Sequence, residues 1–459
     1  MQIVFPYSNQ IASLERIEFK QGGAVKYGDP VLVPEHPWEN VLAYLYGSVV
    51  KTTIYRMWYQ AGGIYVAYAR SHDGFLWEKP LLNAFTIEQP AVGPTVDSSD
   101  GGELCSSAAR PLRVKSNVLL DLHMPSMIYD PSDRARPFKL FGFTDRGYCV
   151  AFAKDGIHFE PAAENPVLPL LKFPAQNNRK TWFSDVAPLF KDTRAGKYVA
   201  YVKTYESDRE HRTRRCVGFS ESDDFVHWSD PATIWIPGDE EDRLAQERGF
   251  HWADFYGLCG FNYGDGYLGL LWLFYIDHEL EHGTHQGEIE VFLAASADGK
   301  SWKRFSDAPL TPLDAGSWDS GMITTAGQPL FLPDCVRVYY GGANFDHAAG
   351  EKGKPYDEQK HRFSIGLTTL RKDGFVYVTS PHGRLATAML EIKTGRIKIN
   401  GDCTSGKILI DVLQPGHKTD SFSIAGIDAL EYIFRTSVRG HASLQVSIEN
   451  AKLYSLEIL

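Results

Sequence analysis

The sequence predicts an all-β protein, a five-bladed β-propeller followed by a small β-sandwich. A turn built on aspartate and followed by an aromatic residue recurs five times, and strand-like alternating runs precede each copy. The turn aspartates lie at positions 73, 155, 224, 298 and 373, so successive copies are 82, 69, 74 and 75 residues apart. A nearly fixed long period indicates a repeat architecture. The copies are residues 71–77, 153–159, 222–228, 296–302 and, in degenerate form, 371–375.

Each period has the length of one propeller blade. Asp-Gly between strand-like runs is a hairpin signal, because glycine takes positive φ without a steric penalty. About 75 residues hold four short strands and their loops. Regular spacing disfavours the alternative, unrelated hairpins in a sandwich. We predict a propeller domain over 1–378, closed by a strand from Ile11 to Phe19. The blades begin near Val41, Met124, Val186, Phe255 and Gly321.

The pattern changes near residue 380, where the repeat ends. Apolar and polar residues alternate in four later runs, as in a sandwich strand with one solvent-exposed face. These runs are 395–400, 406–413, 444–448 and 451–458. The sequence therefore predicts an accessory β-sandwich over 380–459.

Composition narrows the class of protein. The net charge of −10 disfavours nucleic acid as a partner, since a phosphate-binding face needs clustered Lys and Arg. There is no run of eighteen apolar residues, so we expect no membrane contact. The N-terminus lacks the basic and apolar regions of a signal peptide, which predicts a cytoplasmic protein. The six cysteines are scattered, which favours buried free thiols over disulfides or metal.

A carboxylate stands at or just before the first strand of every blade. In a propeller these strands face the central axis, so their first residues ring one mouth of the channel. Like charges gathered there repel one another and raise some pKa values. The alternative is that the acids cap turns or bind exposed amides at strand starts. The five acids are Glu39, Asp121, Asp185, Asp254 and Asp319.

Polar side chains also occupy the ends of the second strands, which return to the same mouth. Together with flat aromatic faces they match a sugar pocket, where ring faces stack and hydroxyls are bridged. Cleavage of a glycosidic bond requires two carboxylates, one a proton donor and the other a nucleophile or base. The predicted substrate-binding residues are Trp38, Gln60, His123, Asp145, Arg146, Lys203, Tyr205, Asp254, Asp277, His278, Asp319 and Asn344.

The turn repeat with a C-terminal sandwich resembles the five-bladed propeller glycoside hydrolases of families 32, 43, 68 and 130. In layout it is most similar to family 32. The resemblance implies that Glu39, Asp121 and Asp185 are the catalytic acids, with Glu39 as nucleophile or base and Asp185 as donor. The segment Asp29 to Pro34 ahead of Trp38-Glu39 also resembles family 130, whose members are phosphorylases or hydrolases of mannosides.

The sequence thus predicts a glycoside hydrolase, exo-acting on a furanoside such as a fructoside or arabinoside. Its partner would be an oligosaccharide or glycoside, with no cofactor and no metal. A related phosphorylase would need cations at the mouth to hold phosphate, and a non-catalytic carbohydrate-binding propeller would need no catalytic acids. The candidate phosphate ligands are Arg146, Lys203, His278 and His347.

Overall fold

The protein is described by a computed structural model covering residues 1–89, 112–170, 183–280, 284–348, 362–415 and 417–459. Those residues form thirty-six β-strands and one α-helix, Asp239–Glu247. Five blades of mainly antiparallel strands follow one another along the chain in a ring, the last two within one sheet, and two further sheets pack as a sandwich. The predicted fold, a five-bladed propeller with a sandwich, is confirmed.

The first three blades each consist of consecutive antiparallel strands. Blade one contains Ala43–Lys51, Tyr55–Ala61, Tyr65–Ser71 and Val118–Leu120. A two-stranded ribbon, Leu82–Gln89 with Leu112–Ser116, lies in the connection to its last strand. Blade two contains His123–Tyr129, Phe138–Thr144, Gly147–Ala153, Glu160–Pro161 and Leu168–Pro169. Blade three contains Leu189–Asp192, Lys197–Ser207, Thr213–Ser222 and Ala232–Trp235.

The last two blades share one sheet through a single parallel pairing, Ile289 with Met322. Blade four contains Trp252–Tyr263, Gly266–Glu279, His285–Ser296 and Trp302–Arg304. Blade five contains Met322–Thr325, Leu330–Phe331, Cys335–Ala343, Phe363–Arg371 and, from the N-terminal part of the chain, Ala24–Lys26.

The strand that closes the ring is a correction to the prediction. Ala24–Lys26 pairs with Phe363–Arg371 of blade five, whereas the predicted segment Ile11 to Phe19 lies in the sandwich. The N-terminal segment contributes strands to both sandwich sheets before it pairs with blade five. Strands within residues 2–21 therefore pair with the C-terminal strands. The predicted boundary near residue 380 itself stays a prediction.

The sandwich joins the two ends of the chain. The first strand, Gln2–Val4, pairs with the last, and the Met1 ammonium donates to the Ile458 carbonyl at 2.8 Å. One sheet contains Gln2–Val4, Glu18–Gln21, Val376–Ser380, Arg396–Asp402, Asp428–Arg435 and Ala451–Ile458. The other contains Ile11–Glu15, Gly383–Thr387, Leu390–Ile392, Lys407–Gln414, His417–Ala425 and Gly440–Glu449.

The repeated turn ties blades one, two and four to the blade that precedes each of them. In blade one the Ser71 hydroxyl accepts the amide of Gly74 at 2.8 Å, and Asp73 accepts two further amides of the turn. The carbonyl of the turn glycine then accepts a hydrogen bond from an aromatic residue in the second strand of the preceding blade. These pairs are Tyr339 with Gly74 at 2.7 Å, Trp58 with Gly156 at 2.9 Å and Tyr201 with Gly299 at 2.8 Å.

Replacing Gly156 by alanine is expected to destabilise the protein more than the same change at Gly196. Both glycines have left-handed φ, +75° and +74°, which costs an alanine about 1–2 kcal/mol. A Cβ at Gly156 would also lie 2.9 Å from the Trp58 ring, whereas no atom lies within 4 Å at Gly196. Overpacking adds about 1–3 kcal/mol. Denaturant unfolding of both variants measures the difference in the free energy of unfolding. Equal losses of that free energy would show that the Trp58 ring moves aside without cost.

Candidate active site

The starts of the inner strands surround one cavity of about 580 Å³. This volume lies in the range of small-ligand sites, about 300–1,000 Å³. Blades one, two, four and five contribute Tyr46, Met124, Tyr256 and Met322 to its wall. The rest of the wall is largely apolar and aromatic, with a few polar groups. It includes Asn40, Val41, Leu42, Gly62, Phe345, His347, Ala348 and Phe363.

The backbone around this cavity is strained. Asn40, Met124 and Ala348 all line it, and all three have left-handed φ angles of 50°, 49° and 66°. This conformation is unfavourable for residues other than glycine, and Met124 and Ala348 gain no local hydrogen bond from their side chains in return. Such strain is concentrated at functional sites, where the surrounding structure holds it in place. The cavity is therefore the candidate site.

Asp185 lies beside the cavity. One carboxylate oxygen is 2.9 Å from the Lys203 Nζ and the other is 3.3 Å from His123 Nε2. Lys203 Nζ lies 4.4 Å from the centre of the Tyr256 ring, which lines the cavity. The Asp185 side chain is 26% exposed, so a ligand can reach it.

Burial alone would raise the pKa of Asp185, but the Lys203 ammonium and the hydrogen bond from His123 hold that pKa well below its usual range. A carboxylate with a depressed pKa is ionised at neutral pH. It can act as a base or nucleophile, and it holds no proton to give. The donor role that the resemblance implies for Asp185 does not fit these surroundings.

Buried polar contacts fix the position of His123 at the entrance to blade two. Its Nδ1 lies 2.7 Å from the Gly63 carbonyl oxygen. The neighbouring Met124 amide donates to Gln60, which is 1% exposed and donates in turn to the Tyr65 carbonyl. Gln60, predicted to bind substrate, therefore joins blades one and two instead.

Asp121 is exposed and lies in the short loop between Val118–Leu120 and His123–Tyr129, two residues before His123. Among the three predicted catalytic acids, Asp121 and Asp185 have side chains that solvent reaches.

Glu39 is buried with no exposed surface. The amides of Glu35 and His36 donate to one oxygen at 2.7 and 2.8 Å, and the Tyr59 hydroxyl donates to the other at 2.6 Å. The Lys79 ammonium, itself 4% exposed, lies 2.8 Å away. Both oxygens are thus occupied by donors in the interior. The predicted role of Glu39 as nucleophile or base does not fit this position, because no substrate can approach it.

Asp254 is also fully buried. Arg214 Nε and His285 Nδ1 contact it at 3.0 Å, and Arg215 lies 3.3 Å away. Burial opposes its ionisation, but the hydrogen bond with His285 and the two arginines hold the pKa of Asp254 below its usual range. Asp254 therefore balances buried charge between blades three and four, and it has no exposed surface to offer a substrate.

The fifth predicted acid, Asp319, is 1% exposed. It contacts the Lys26 ammonium at 2.8 Å and accepts from the Tyr340 hydroxyl at 2.9 Å. Lys26 belongs to the closing strand, so this pair fastens the ring. Of the five predicted carboxylates, Asp185 pairs with Lys203, which contacts the cavity-lining Tyr256, and Asp121 is exposed two residues before His123.

The remaining predicted residues divide into structural and rim positions. Trp38 is 9% exposed and its Nε1 donates to Asn117 at 2.8 Å, and the Tyr205 hydroxyl donates to Ser184 at 2.7 Å. Asp277 and His278 contact each other at 3.1 Å, away from the cavity wall. The exposed rim residues are Asp145, Arg146, His278 and Asn344.

Sequence reasoning missed Tyr46 and Tyr256, the aromatic wall of the cavity. Both lie inside the first strand of a blade, and that position is the signal which could have identified them. The hydroxyls of these two tyrosines interact, and burial raises the pKa of both. They are therefore neutral aromatic groups in the cavity wall.

Among the described residues, no group of three or more His, Cys, Asp or Glu could hold a metal ion. No helix in the described ranges is long and apolar enough to cross a membrane. The described cysteines are free thiols, four of them buried, and Cys105 lies outside the described residues.

The fold and the site define a five-bladed propeller with an axial cavity and one ionised carboxylate beside it. No family model and no curated protein matches the sequence. Several solved structures resemble the chain. An α-L-arabinofuranosidase from Podospora anserina, in complex with cellotriose, is 11% identical, with 77% of this chain and 98% of that chain covered and a TM-score of 0.46.

The exo-inulinase from Aspergillus awamori is 12% identical over 94% of this chain and 98% of its own, with a TM-score of 0.43. The β-1,2-mannobiose phosphorylase from Listeria innocua is 13% identical over 76% and 96%, with a TM-score of 0.30. At such identities and scores the fold rests on the strand pairings described above, and any function rests on the site.

Proposed function

We propose that the protein cleaves a glycosidic bond in the axial cavity. The observation that carries this proposal is Asp185, an ionised and partly exposed carboxylate next to an aromatic wall. Aromatic faces stack against sugar rings, and the polar groups of Asn40 and His347 are available to hydroxyls. An exo-acting hydrolase of a furanoside, such as a fructoside or arabinoside, is the activity we propose.

In this proposal Asp185 is the base or nucleophile, and Asp121 is the second carboxylate that the reaction requires. Lys203 keeps Asp185 ionised, and His123 fixes its orientation. These roles reverse the prediction for Asp185 and replace Glu39.

The test uses a panel of aryl furanosides and pyranosides with the wild-type protein and with the double variant Asp121→Asn/Asp185→Asn. We expect turnover of at least one glycoside by the wild type and none by the double variant. The double variant should still bind the sugar, as calorimetry would show. A wild type that turns over no member of the panel would overturn the proposal.

One observation favours a second candidate, a non-catalytic sugar-binding propeller. Glu39, Asp254 and Asp319 are buried and held by cations, so three of the five predicted carboxylates serve the fold. A binding module would bind a glycoside without turnover. The double variant would then bind it as tightly as the wild type.

Replacing Lys203 by methionine is expected to move the acidic limb of the pH profile of kcat/KM to higher pH. Activity needs ionised Asp185, so it is lost as pH falls through the pKa of this group. Lys203 lowers that pKa, and removal of the ammonium raises it. Lys197→Met is the control, since Lys197 lies on the same strand and pairs with Glu221 at 2.9 Å. An acidic limb that does not move would exclude Asp185 as the ionised group.

A further inference from the structure

His347 follows the blade-five strand Cys335–Ala343 and lines the cavity. Its backbone amide donates to the Gly287 carbonyl at 2.8 Å, and its Nδ1 lies 2.8 Å from the His285 carbonyl oxygen. Both contacts come from the third strand of blade four. The imidazole is therefore held in one orientation across the seam between two blades.

The environment of the ring defines its tautomer. A carbonyl oxygen only accepts hydrogen bonds, so Nδ1 carries the hydrogen and Nε2 has the lone pair. The ring lies between Tyr256 and Phe274, with centroid distances of 5.3 and 4.9 Å. Burial and the nearby Arg215 guanidinium lower the pKa of His347 to about 3. The imidazole is therefore neutral across the physiological range.

The Nε2 atom is thus an acceptor at the cavity wall. Among the described residues, no hydrogen-bond donor contacts it. A sugar hydroxyl can donate to such an atom, whereas an ionised carboxylate or phosphate oxygen cannot. A neutral His347 brings no positive charge to the wall, so it does not fit the phosphate-holding role considered for it in the sequence.

We infer that His347 is a specificity-determining residue whose Nε2 accepts a hydrogen bond from one hydroxyl of an uncharged sugar ring bound in the cavity. The inference deepens the proposed function and rests on it. It names the substrate class at this wall: a ring that presents a free hydroxyl, with no anionic group at that position.

The experiment uses a series of monodeoxy derivatives of the glycoside that the wild type turns over best. Removal of the hydroxyl that meets His347 should lower kcat/KM of the wild type by about tenfold or more. His347→Phe keeps a ring between Tyr256 and Phe274 but has no acceptor, so it should lose this preference to within about twofold. His347→Gln retains an oxygen near the Nε2 position and should keep part of it.

An unchanged preference for every hydroxyl in His347→Phe would overturn the inference. Should that variant fail to fold, long-range ¹H–¹⁵N NMR of wild-type protein labelled in histidine provides a second test. We expect a neutral Nδ1–H tautomer between pH 5 and 8 and a shift of the Nε2 resonance when the glycoside binds. A hydrogen on Nε2, or an unmoved resonance, would contradict the inference.

An outcome that overturns the proposed function differs from one that overturns the inference about His347. A protein that binds the glycosides without turnover would overturn catalysis, and the hydroxyl preference would then be read from the Kd values of the same series. Loss of that preference in His347→Phe would still support the inference.

Discussion

Replacing Asp185 by asparagine is expected to lower kcat/KM for a glycoside substrate by about 10²–10⁴-fold, the contribution of a positioned acid or base. The amide has nearly the same shape as the carboxylate. Its one oxygen can still accept from Lys203, which lies 2.9 Å from a native oxygen, and its NH2 group takes the place of the oxygen 3.3 Å from His123 Nε2. The change removes the charge and the basic lone pair, so the loss measures chemistry more than folding.

The dependence on leaving group tests the role. A base or nucleophile acts on the anomeric carbon or on water, so aryl and alkyl glycosides should lose activity by similar factors. A far larger loss with the alkyl glycoside would make Asp185 the proton donor, since only the poor leaving group needs protonation. Asp223→Asn, in the turn of blade three with a side chain 83% exposed, is the control and should leave kcat/KM unchanged.

The propeller could be predicted because its marker is local. In the first four turns the aspartate accepts amides two and three residues ahead, as Asp298 does from Lys300 and Ser301 at 2.8 and 2.6 Å. Residues so close in sequence leave a pattern that recurs with every blade. The closing strand leaves none, because Ala24–Lys26 has three residues and its partner, Phe363–Arg371, lies more than 300 positions away.

The site could be predicted only in part, because the position of an acid in a blade is local information and the orientation of its side chain is not. The sequence places an acid at the start of each blade, and it does not show which way the side chain points. Asp185 and Glu39 both have lysine partners, and both lysines are distant in sequence. Asp185 remains 26% exposed next to Lys203, whereas Glu39 is enclosed by the segment that precedes it. The difference comes from tertiary packing, which no spacing of residues records.

Replacing Lys79 by methionine is expected to lower the free energy of unfolding by about 3–5 kcal/mol, the cost of leaving a buried charge without its partner. Glu39 has no exposed surface, and Lys79 is 4% exposed and 2.8 Å from it. The double variant Glu39→Gln/Lys79→Met removes both charges and should recover a large part of the loss. Denaturant unfolding of the three proteins measures this coupling.

The adjacent pair Arg70 and Glu78 provides the control, at 3.0 Å with side chains 50% and 62% exposed. Arg70→Met should change the free energy of unfolding by no more than about 1 kcal/mol, because water and salt screen an exposed pair. A similarly small effect of Lys79→Met would mean that Glu39 does not depend on its lysine and that its surroundings open to solvent. Glu39 would then return as a candidate for catalysis. A large effect, recovered in the double variant, assigns the blade-one carboxylate to the stability of the fold and leaves the chemistry to Asp185.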